Sequence, residues 1–338
     1  MKRDGVLAGV DLGGTNLRAG LISPEGQVLW RHAVPTPQRR EPERIADTIV
    51  HVLERGLKEI GADKHHLIGV GAGITGPVRR EGGVALLSPN FGWRDVPFAD
   101  LLRARLPAGV PVCVDNDVRV VMYGEWQFGA GRDLANFMCV TVGTGVGAAL
   151  LLNGRPYYGV WDAAGEIGHY ILDPQGPECG CGNRGCLEQY ASASAVEREA
   201  ARFGLSRGDG SPMSAAEVAA AARAGEPRAQ KVLARAAAAL AQGLAVSANL
   251  LSLESIIIGG GLSRAGEAFW GPLRREVGRR VMPIHRRRLE LVPAALGDDA
   301  GVLGAAWLAG WQSGLIHPQR YDTRMPATGK STHGREGG

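Results

Sequence analysis

Apolar residues open the chain in two short runs, Val6 to Asp11 and Leu17 to Ile22, on either side of a Gly-Gly pair. Runs of this length bounded by turn residues predict strands. Ser23-Pro24-Glu25-Gly26 predicts a turn before a third strand from Gln27 to Ala33. A helix is expected from Pro42 to about Ile60, a strand from Leu67 to Gly73, and a strand from Val112 to Asn116 that runs into a helix from Asp117 to Phe128. The pattern then begins again: Phe137 to Val142 reads as a strand, Gly143-Thr144-Gly145-Val146-Gly147 as a turn and Ala148 to Leu152 as a strand. Alternating strands and helices predict an α/β protein, and two copies of strand, Gly/Thr turn, strand predict a duplicated architecture.

The rest of the chain is richer in helix. Ser214-Ala-Ala-Glu217 has the spacing of a capping box and opens a helix running to Arg223-Ala-Gly225. Pro227 suits a first helical turn, and the Ala-rich stretch to about Leu251 predicts one long helix. Ser255 to Ile258 is a short buried strand that delivers Gly259-Gly260-Gly261 to a helix start. From Ile316 onward no period survives, so 316–338 is expected to be a disordered tail. A chain of 338 residues exceeds the usual single core. We expect a small lobe over 1–118, completed by a C-terminal helix at about 300–314, and a larger lobe over 119–299.

Charge narrows the function classes. Lys plus Arg number 38 and Asp plus Glu 34, a formal net charge of +4, and the tail supplies two of those four. A nearly balanced body does not call for nucleic acid, and Arg286-Arg287-Arg288 reads as a solvated surface. No apolar stretch reaches membrane-spanning length, and Met1-Lys2-Arg3-Asp4 leads straight into a strand, so a cytoplasmic protein without a membrane partner is expected.

Chemistry concentrates between Gly165 and Glu188. Gly165-Glu166-Ile167-Gly168-His169 is followed, after a short gap, by Cys179-Gly-Cys181-Gly-Asn-Arg-Gly-Cys186-Leu-Glu188. Three thiolates and one imidazole suit tetrahedral Zn²⁺ in a closed, structural mode. A disulfide fits poorly, because Cys-x-Cys spacing strains a direct bridge. An iron–sulfur cluster would need ligands beyond these, and Cys113 and Cys139 sit in apolar runs.

Fifty glycines make chance motifs expected. Gly71-Ala-Gly73-Ile-Thr-Gly76 has the dinucleotide spacing but meets Pro77 and a hairpin where a helix N-terminus is required. Asp11-Leu12-Gly13-Gly14-Thr15 differs, because a strand delivers an acid and then N–H groups with no Cβ in the way of phosphate oxygens. An ordinary hairpin would read the same in isolation, but the partner turn Gly143-Thr144-Gly145 favours phosphate. Asp115-Asn116-Asp117 stands where a strand yields to a helix, so helix capping and a site role are both open.

These motifs together resemble the ROK family of sugar kinases and repressors, whose zinc loop joins Gly-Glu-x-Gly-His to Cys-x-Cys-Gly-x-x-Gly-Cys-x-Glu. The resemblance reaches from Asp11 to about Gly314. It implies an actin-like ATPase (ribonuclease H-like) fold of two lobes with a cleft between them, and a homo-oligomer. It places Asp11, Gly13, Gly14 and Thr15 at the terminal phosphates, with the acid helping to hold Mg²⁺. It sets Gly143, Thr144 and Gly145 around the nucleotide phosphates and Gly259, Gly260 and Gly261 near the adenosine. Asn116 would grip a sugar hydroxyl and Asp117 act as base, kept ionised by the helix N-terminus. Glu166, His169 and Glu188 would line the sugar pocket, with Asn90 in Ser-Pro-Asn-Phe-Gly-Trp adding a contact. His169, Cys179, Cys181 and Cys186 would hold the zinc, with His169 reaching the sugar through its other ring nitrogen. Val118-Arg119 departs from the Ala-Asn that many members carry after the Asp.

The reading is an ATP- and Mg²⁺-dependent hexokinase acting on the 6-hydroxyl of glucose, the Ser-Pro-Asn-Phe-Gly-Trp segment being similar to the glucokinase members. Fructose, mannose, N-acetylmannosamine or N-acetylglucosamine as acceptor, and polyphosphate as donor, stay open. A sugar-responsive transcriptional regulator is disfavoured, because the first strand begins by about Val6 and leaves no room for a helix-turn-helix.

Overall fold

The computed structural model describes residues 5–316, so the expected tail lies outside the described residues apart from Ile316. Strands β1 (Val6–Leu12), β2 (Asn16–Ile22) and β3 (Val28–Pro35) form an antiparallel meander. Helix α1 (Pro42–Glu59) starts with Pro42 where a missing N–H costs nothing, and buries Ile45, Ile49, Leu53 and Leu57 along one face. β4 (Leu67–Ile74) then pairs parallel to β1. A side sheet of β5 (Val78–Arg79), β6 (Val84–Ser88) and β7 (Trp93–Val96) follows, then α2 (Phe98–Arg103), β8 (Val112–Asn116) and α3 (Asp117–Phe128). The main sheet has the order β3-β2-β1-β4-β8.

The second half repeats this plan. β9 (Phe137–Val142), β10 (Val146–Leu152) and β11 (Arg155–Tyr157) form a second meander. After the cysteine loop come α4 (Glu188–Ala191), α5 (Ala193–Arg202), α6 (Ala215–Arg223) and α7 (Pro227–Leu251). Ser214 and Glu217 close the expected capping box on α6. β12 (Ser255–Gly259), α8 (Glu267–Arg280), α9 (Pro283–Arg286), β13 (Glu290–Pro293) and α10 (Ala300–Gln312) complete the chain. The second sheet runs β11-β10-β9-β12-β13, strand for strand the order of the first, which makes the duplication a property of topology as well as of motif. Gly259-Gly260-Gly261 leads only into a short 3₁₀ turn, Gly261–Arg264, and the helix proper waits until Glu267.

The last helix of each half crosses to the other. α3 leaves the first sheet at Asn116 and packs on β9 and β10, whereas α10 leaves the second sheet and lies across β1 and β4. The crossing is tight because glycines let backbone meet backbone. A Cβ on Gly71 would stand 1.8 Å from the Ala305 carbonyl oxygen, and one on Gly304 would stand 1.7 Å from that of Val120. Glu125, fully buried in α3, accepts N–H groups from Ala130 at 2.8 Å, Ala295 at 3.0 Å and Leu296 at 2.9 Å, and so staples the two crossings together.

Gly71→Ala is therefore expected to lower stability by about 1–3 kcal/mol, since a backbone neighbour cannot rotate away from the added methyl. Gly278→Ala, in α8 with open space around it, should stabilise by about 0.5–1 kcal/mol through helix propensity. Urea melts of both variants check the pair, and equal midpoints would remove the close-packing account.

Candidate active site

Strand register brings the first set of residues together. Leu12 pairs with Ile74 and Ile74 with Asn116, so β1, β4 and β8 end level with one another. Their carboxyl ends carry Asp11 to Thr15, Thr75-Gly76 and Asn116-Asp117, the position where open α/β sheets hold ligands. The Gly13-Gly14 turn is held from behind. Thr36 Oγ1 donates to the Gly13 carbonyl at 2.7 Å and Arg40 Nη2 to the Gly14 carbonyl at 2.8 Å. Asn90 packs over the turn, since a Cβ on Gly14 would come within 3.6 Å of its Nδ2. The Asn90 turn is anchored by its neighbours Phe91 and Trp93, which bury against Phe98.

Asn116 performs the capping, with Oδ1 accepting from Val118 N at 3.0 Å and Arg119 N at 3.1 Å. Its Nδ2 donates to the Gly76 carbonyl at 3.1 Å and to Asp117 Oδ1 at 2.8 Å, which fixes the Asp117 carboxylate as the first residue of α3. The helix N-terminus was expected to keep Asp117 ionised, and the structure corrects this. Burial pushes its carboxyl up to about 7, Asp11 adds to the rise, and the Val118 N–H opposes it only in part. Asp11 is likewise pushed up to about 6 by burial, although Arg18 stands 3.8 Å away and pulls it down. Both groups hold their protons more tightly folded than unfolded. Their favourable contribution to stability is thus full in acid, below the ordinary carboxylate value, and is lost as pH rises through about 6 to 7.

The second sheet presents its own edge. Gly259 pairs with Thr141, so the turn after β9 and the loop after β12 lie side by side. Gly260, at φ +85°, could not carry a Cβ, which would stand 2.5 Å from the Val142 carbonyl oxygen. Gly143 N donates to the Gly145 carbonyl at 3.0 Å, and the Gly143 and Thr144 carbonyls accept from Ala193 N and Ser194 Oγ at the start of α5. Thr144 therefore stands on a closed turn whose outer side, at Gly143, is open.

The cysteine loop folds against this turn. His169, Cys179, Cys181 and Cys186 place one donor atom each within 4.8 Å of one another, and none of the five cysteines forms a disulfide. Cys179 Sγ lies 3.6 Å from His169 Nδ1 and Cys181 Sγ lies 3.6 Å from Cys186 Sγ. A tetrahedron with Zn–S of about 2.3 Å has edges of about 3.7 Å, so the donor set fits that ion. With Nδ1 turned to the sulfurs, His169 Nε2 lies 3.8 Å from Glu166 Oε2. Glu188 stands between the two features. Its Oε1 accepts from Cys179 Sγ at 3.0 Å, and a Cβ on Gly145 would meet its Oε2 at 2.9 Å. Burial raises the Glu166 carboxyl, with His169 and Arg119 opposing the rise.

The structure thus brings Asp117 near enough to Asp11 and to Glu166 for both charges to act on it, sets the Gly13 turn beneath Asn90, and joins the Gly143 turn to the cysteine loop through Glu188. Sequence reasoning singled out Asp115 and Arg119 but not the groups they meet, Tyr123, Tyr158, Arg80 and Asp162, which join them in one hydrogen-bonded network. Their only signal was a charged residue at Arg119 within an apolar stretch of helix.

The ROK family pattern matches residues 7–311. The chain is 37% identical over 321 residues to a glucokinase of Streptomyces coelicolor, covering 90% of this chain and 98% of that one. It is 38% identical over 315 residues to a glucokinase of Thermotoga maritima, covering 89% and 96% respectively. The structure of a ROK family glucokinase from Streptomyces griseus, in complex with glucose and AMPPNP, superposes with a TM-score of 0.79 at 35% identity, covering 90% of this chain and 99% of that one. With the histidine and cysteine motif, the paired glycine turns and the repeated sheet all present, the chain belongs to the ROK family.

Proposed function

We propose that the protein is a sugar kinase that transfers the terminal phosphoryl group of ATP to the 6-hydroxyl of glucose. The observation that carries this reading is the placement of Asp117. A half-buried carboxylate sits at the end of β8, oriented by Asn116, interacting with Asp11 on the phosphate turn and with Glu166 beside the zinc loop. The likeness to glucokinases supports glucose as the acceptor, and the complex with AMPPNP in a relative supports ATP as the donor.

Phosphoryl transfer passes through a loose transition state, so positioning outweighs basicity. Asp117 accepts a hydrogen bond from the attacking hydroxyl and takes its proton late. Asn116 aims Asp117, and it contacts the sugar by exchanging the hydrogen bond it makes to Oδ1 of Asp117. Glu166, Glu188 and His169 Nε2 pair with vicinal hydroxyls, each of which donates and accepts. Asn90 contributes a further amide from above the first turn. The Gly13 and Gly143 N–H groups close their own turns on the Asn16 and Gly145 carbonyls, which leaves those of Gly14 and Thr15 for the terminal phosphates and those of Thr144 and Gly145 for the phosphates from the other lobe, with Gly259 to Gly261 beside the adenosine. Asp11 supplies the hard oxygen ligand that Mg²⁺ favours, and the ion would neutralise charge on the transferred group. His169, Cys179, Cys181 and Cys186 would hold zinc, which would fix the ring of His169 and the approach to Glu188 as a support for the pocket rather than a reagent.

Three sets of outcomes are expected. Asp117→Asn should fold and bind sugar while turnover drops by about two orders of magnitude or more, the usual size for losing a general base. In the parent, kcat/KM for sugar should fall about tenfold per pH unit on the acid side of about pH 7, as Asp117 takes up its proton. Steady-state kinetics across pH 5.5–8.5 measure both, and a mutant within a few-fold of the parent would reduce Asp117 to a structural role.

As-purified protein should contain one Zn²⁺ per chain by elemental analysis. Cys181→Ser should lose metal and sugar binding together. A metal-free parent with full activity would end the structural-zinc reading.

The third outcome concerns the acceptor. In direct competition glucose should give the highest kcat/KM against fructose, mannose, N-acetylmannosamine and N-acetylglucosamine, because a buried site built to bond a hydroxyl rejects an analogue that leaves its polar groups unpaired. Preference for another sugar would overturn glucose and leave phosphoryl transfer standing, and a parallel assay with polyphosphate decides the donor.

A further inference from the structure

Arg119 follows Asp117 by two residues and is only 2% exposed. Its guanidinium is fully engaged across three parts of the chain. Nε donates to Asp115 Oδ1 at 2.6 Å, Nη1 to the Asp162 carbonyl at 2.8 Å and Nη2 to the Val78 carbonyl at 3.4 Å. Asp115 and Val78 belong to the first half of the chain, whereas Asp162 lies in the segment that leaves β11 in the second and leads to Glu166. The other oxygen of Asp115 accepts from Tyr123 Oη at 2.8 Å, and that hydroxyl pairs with Tyr158 Oη at 2.8 Å.

A second arginine grips the same segment from the side sheet. Arg80 Nε donates to Asp162 Oδ1 at 2.9 Å, its backbone N donates to Oδ2 at 3.3 Å, and its guanidinium lies 3.4 Å from the centroid of the Tyr158 ring. Asp162 adopts φ +54°, a conformation that costs a non-glycine residue energy and persists where contacts over-determine it. Between the two gripped residues, Val160 and Trp161 are 87% and 81% exposed, so no core packing of theirs holds the segment in place. The polar contacts do that work. Four residues past Asp162 comes Glu166, near enough to Arg119 for the arginine's charge to act on it.

We propose that Arg119 and Arg80 are positioning residues: from the first half of the chain they clamp the 158–162 segment of the second, and thereby set where Glu166 meets the sugar. The proposal rests on the sugar-kinase reading for its substrate, though not for the clamp itself. Two carboxylates, two arginines and two tyrosines form one connected network, so loosening any exposed member should be felt at Glu166 without touching the phosphate turns. Because the clamp acts on how sugar is bound rather than on the transferring group, its loss should appear in the KM for sugar and spare kcat and the KM for ATP.

The experiment avoids stripping Arg119, since Arg119→Ala would leave the buried Asp115 carboxylate unpaired and threaten folding. Arg80→Ala and Asp162→Asn change only partly exposed groups, and Arg119→Lys keeps the charge while losing the three-way fork. Each is measured by steady-state kinetics and by hydrogen exchange of the peptide covering 158–166. We expect Arg80→Ala and Asp162→Asn to raise the sugar KM about tenfold with kcat and the ATP KM within about twofold. Exchange in 158–166 should quicken, and Arg80→Lys should recover part of both effects. Arg119→Lys should shift the same two readouts in the same direction. A sugar KM within twofold of the parent in Arg80→Ala and Asp162→Asn overturns the proposal. So does an equal fall in kcat and rise in both KM values with a lowered melting temperature, which marks a merely structural role. If the parent phosphorylates no sugar, the kinase reading fails, and exchange alone judges the clamp: unchanged protection of 158–166 then overturns it.

Discussion

Backbone-to-backbone contact between α10, α3 and the first sheet is the constraint on which the rest of this structure depends. Gly9, Gly71, Gly124 and Gly304 each face a carbonyl oxygen at a distance that no Cβ could share, 1.9, 1.8, 2.2 and 1.7 Å from where that atom would be. Such contacts cannot be relieved by rotating a side chain, so they set the helices' positions to within a fraction of an ångström. Because α3 begins at Asp117 and α10 begins beside Asp11, the same contacts fix the distance between the two carboxylates. Glu125 completes the lock by capturing three N–H groups that the crossings would otherwise leave unpaired.

The electrostatics follow from that geometry. A helix N-terminus favours a negative charge within its first turn by a fraction of a kcal/mol to about 1 kcal/mol, whereas removing a carboxylate from water costs more when a second carboxylate is near. At Asp117 the second effect wins, and the group is poised near neutrality instead of fully ionised. A poised carboxylate suits a proton acceptor that must also give its proton up after each turnover.

The two halves of the chain contribute unlike chemistry to one cleft. The first supplies the acids and the glycine turn beneath Asn90, and the second supplies the cysteine and histidine cluster with Glu188 wedged between it and the Gly143 turn. His169 turns its two ring nitrogens in different directions, Nδ1 to sulfur and Nε2 to Glu166. Among the described residues no helix is long and apolar enough to cross a membrane.

Local features of the chain were enough to determine many of its elements and its motifs. Apolar runs bounded by Gly, Pro and Ser set strands β1 to β4 and β8 to β10, Pro42 and Pro227 marked helix starts, and Ser214 with Glu217 wrote a cap, because these signals act within a few residues. The cluster of one histidine and three cysteines was legible for the same reason, its four donors lying within eighteen residues of sequence, 169 to 186. What spacing could not show was which distant groups meet. Short or irregular pieces such as α2, β11 and β13 are held by neighbours rather than by their own pattern, and so left no trace. The rise in the Asp117 carboxyl depends on burial and on Asp11, which is 106 positions away in the chain, and the contact of Arg119 with Asp162 spans 43. Desolvation and long-range hydrogen bonds exist only once the two sheets have closed on their shared helices, so tertiary structure alone decided the protonation of the Asp117 carboxyl and the position of the segment that Arg119 holds.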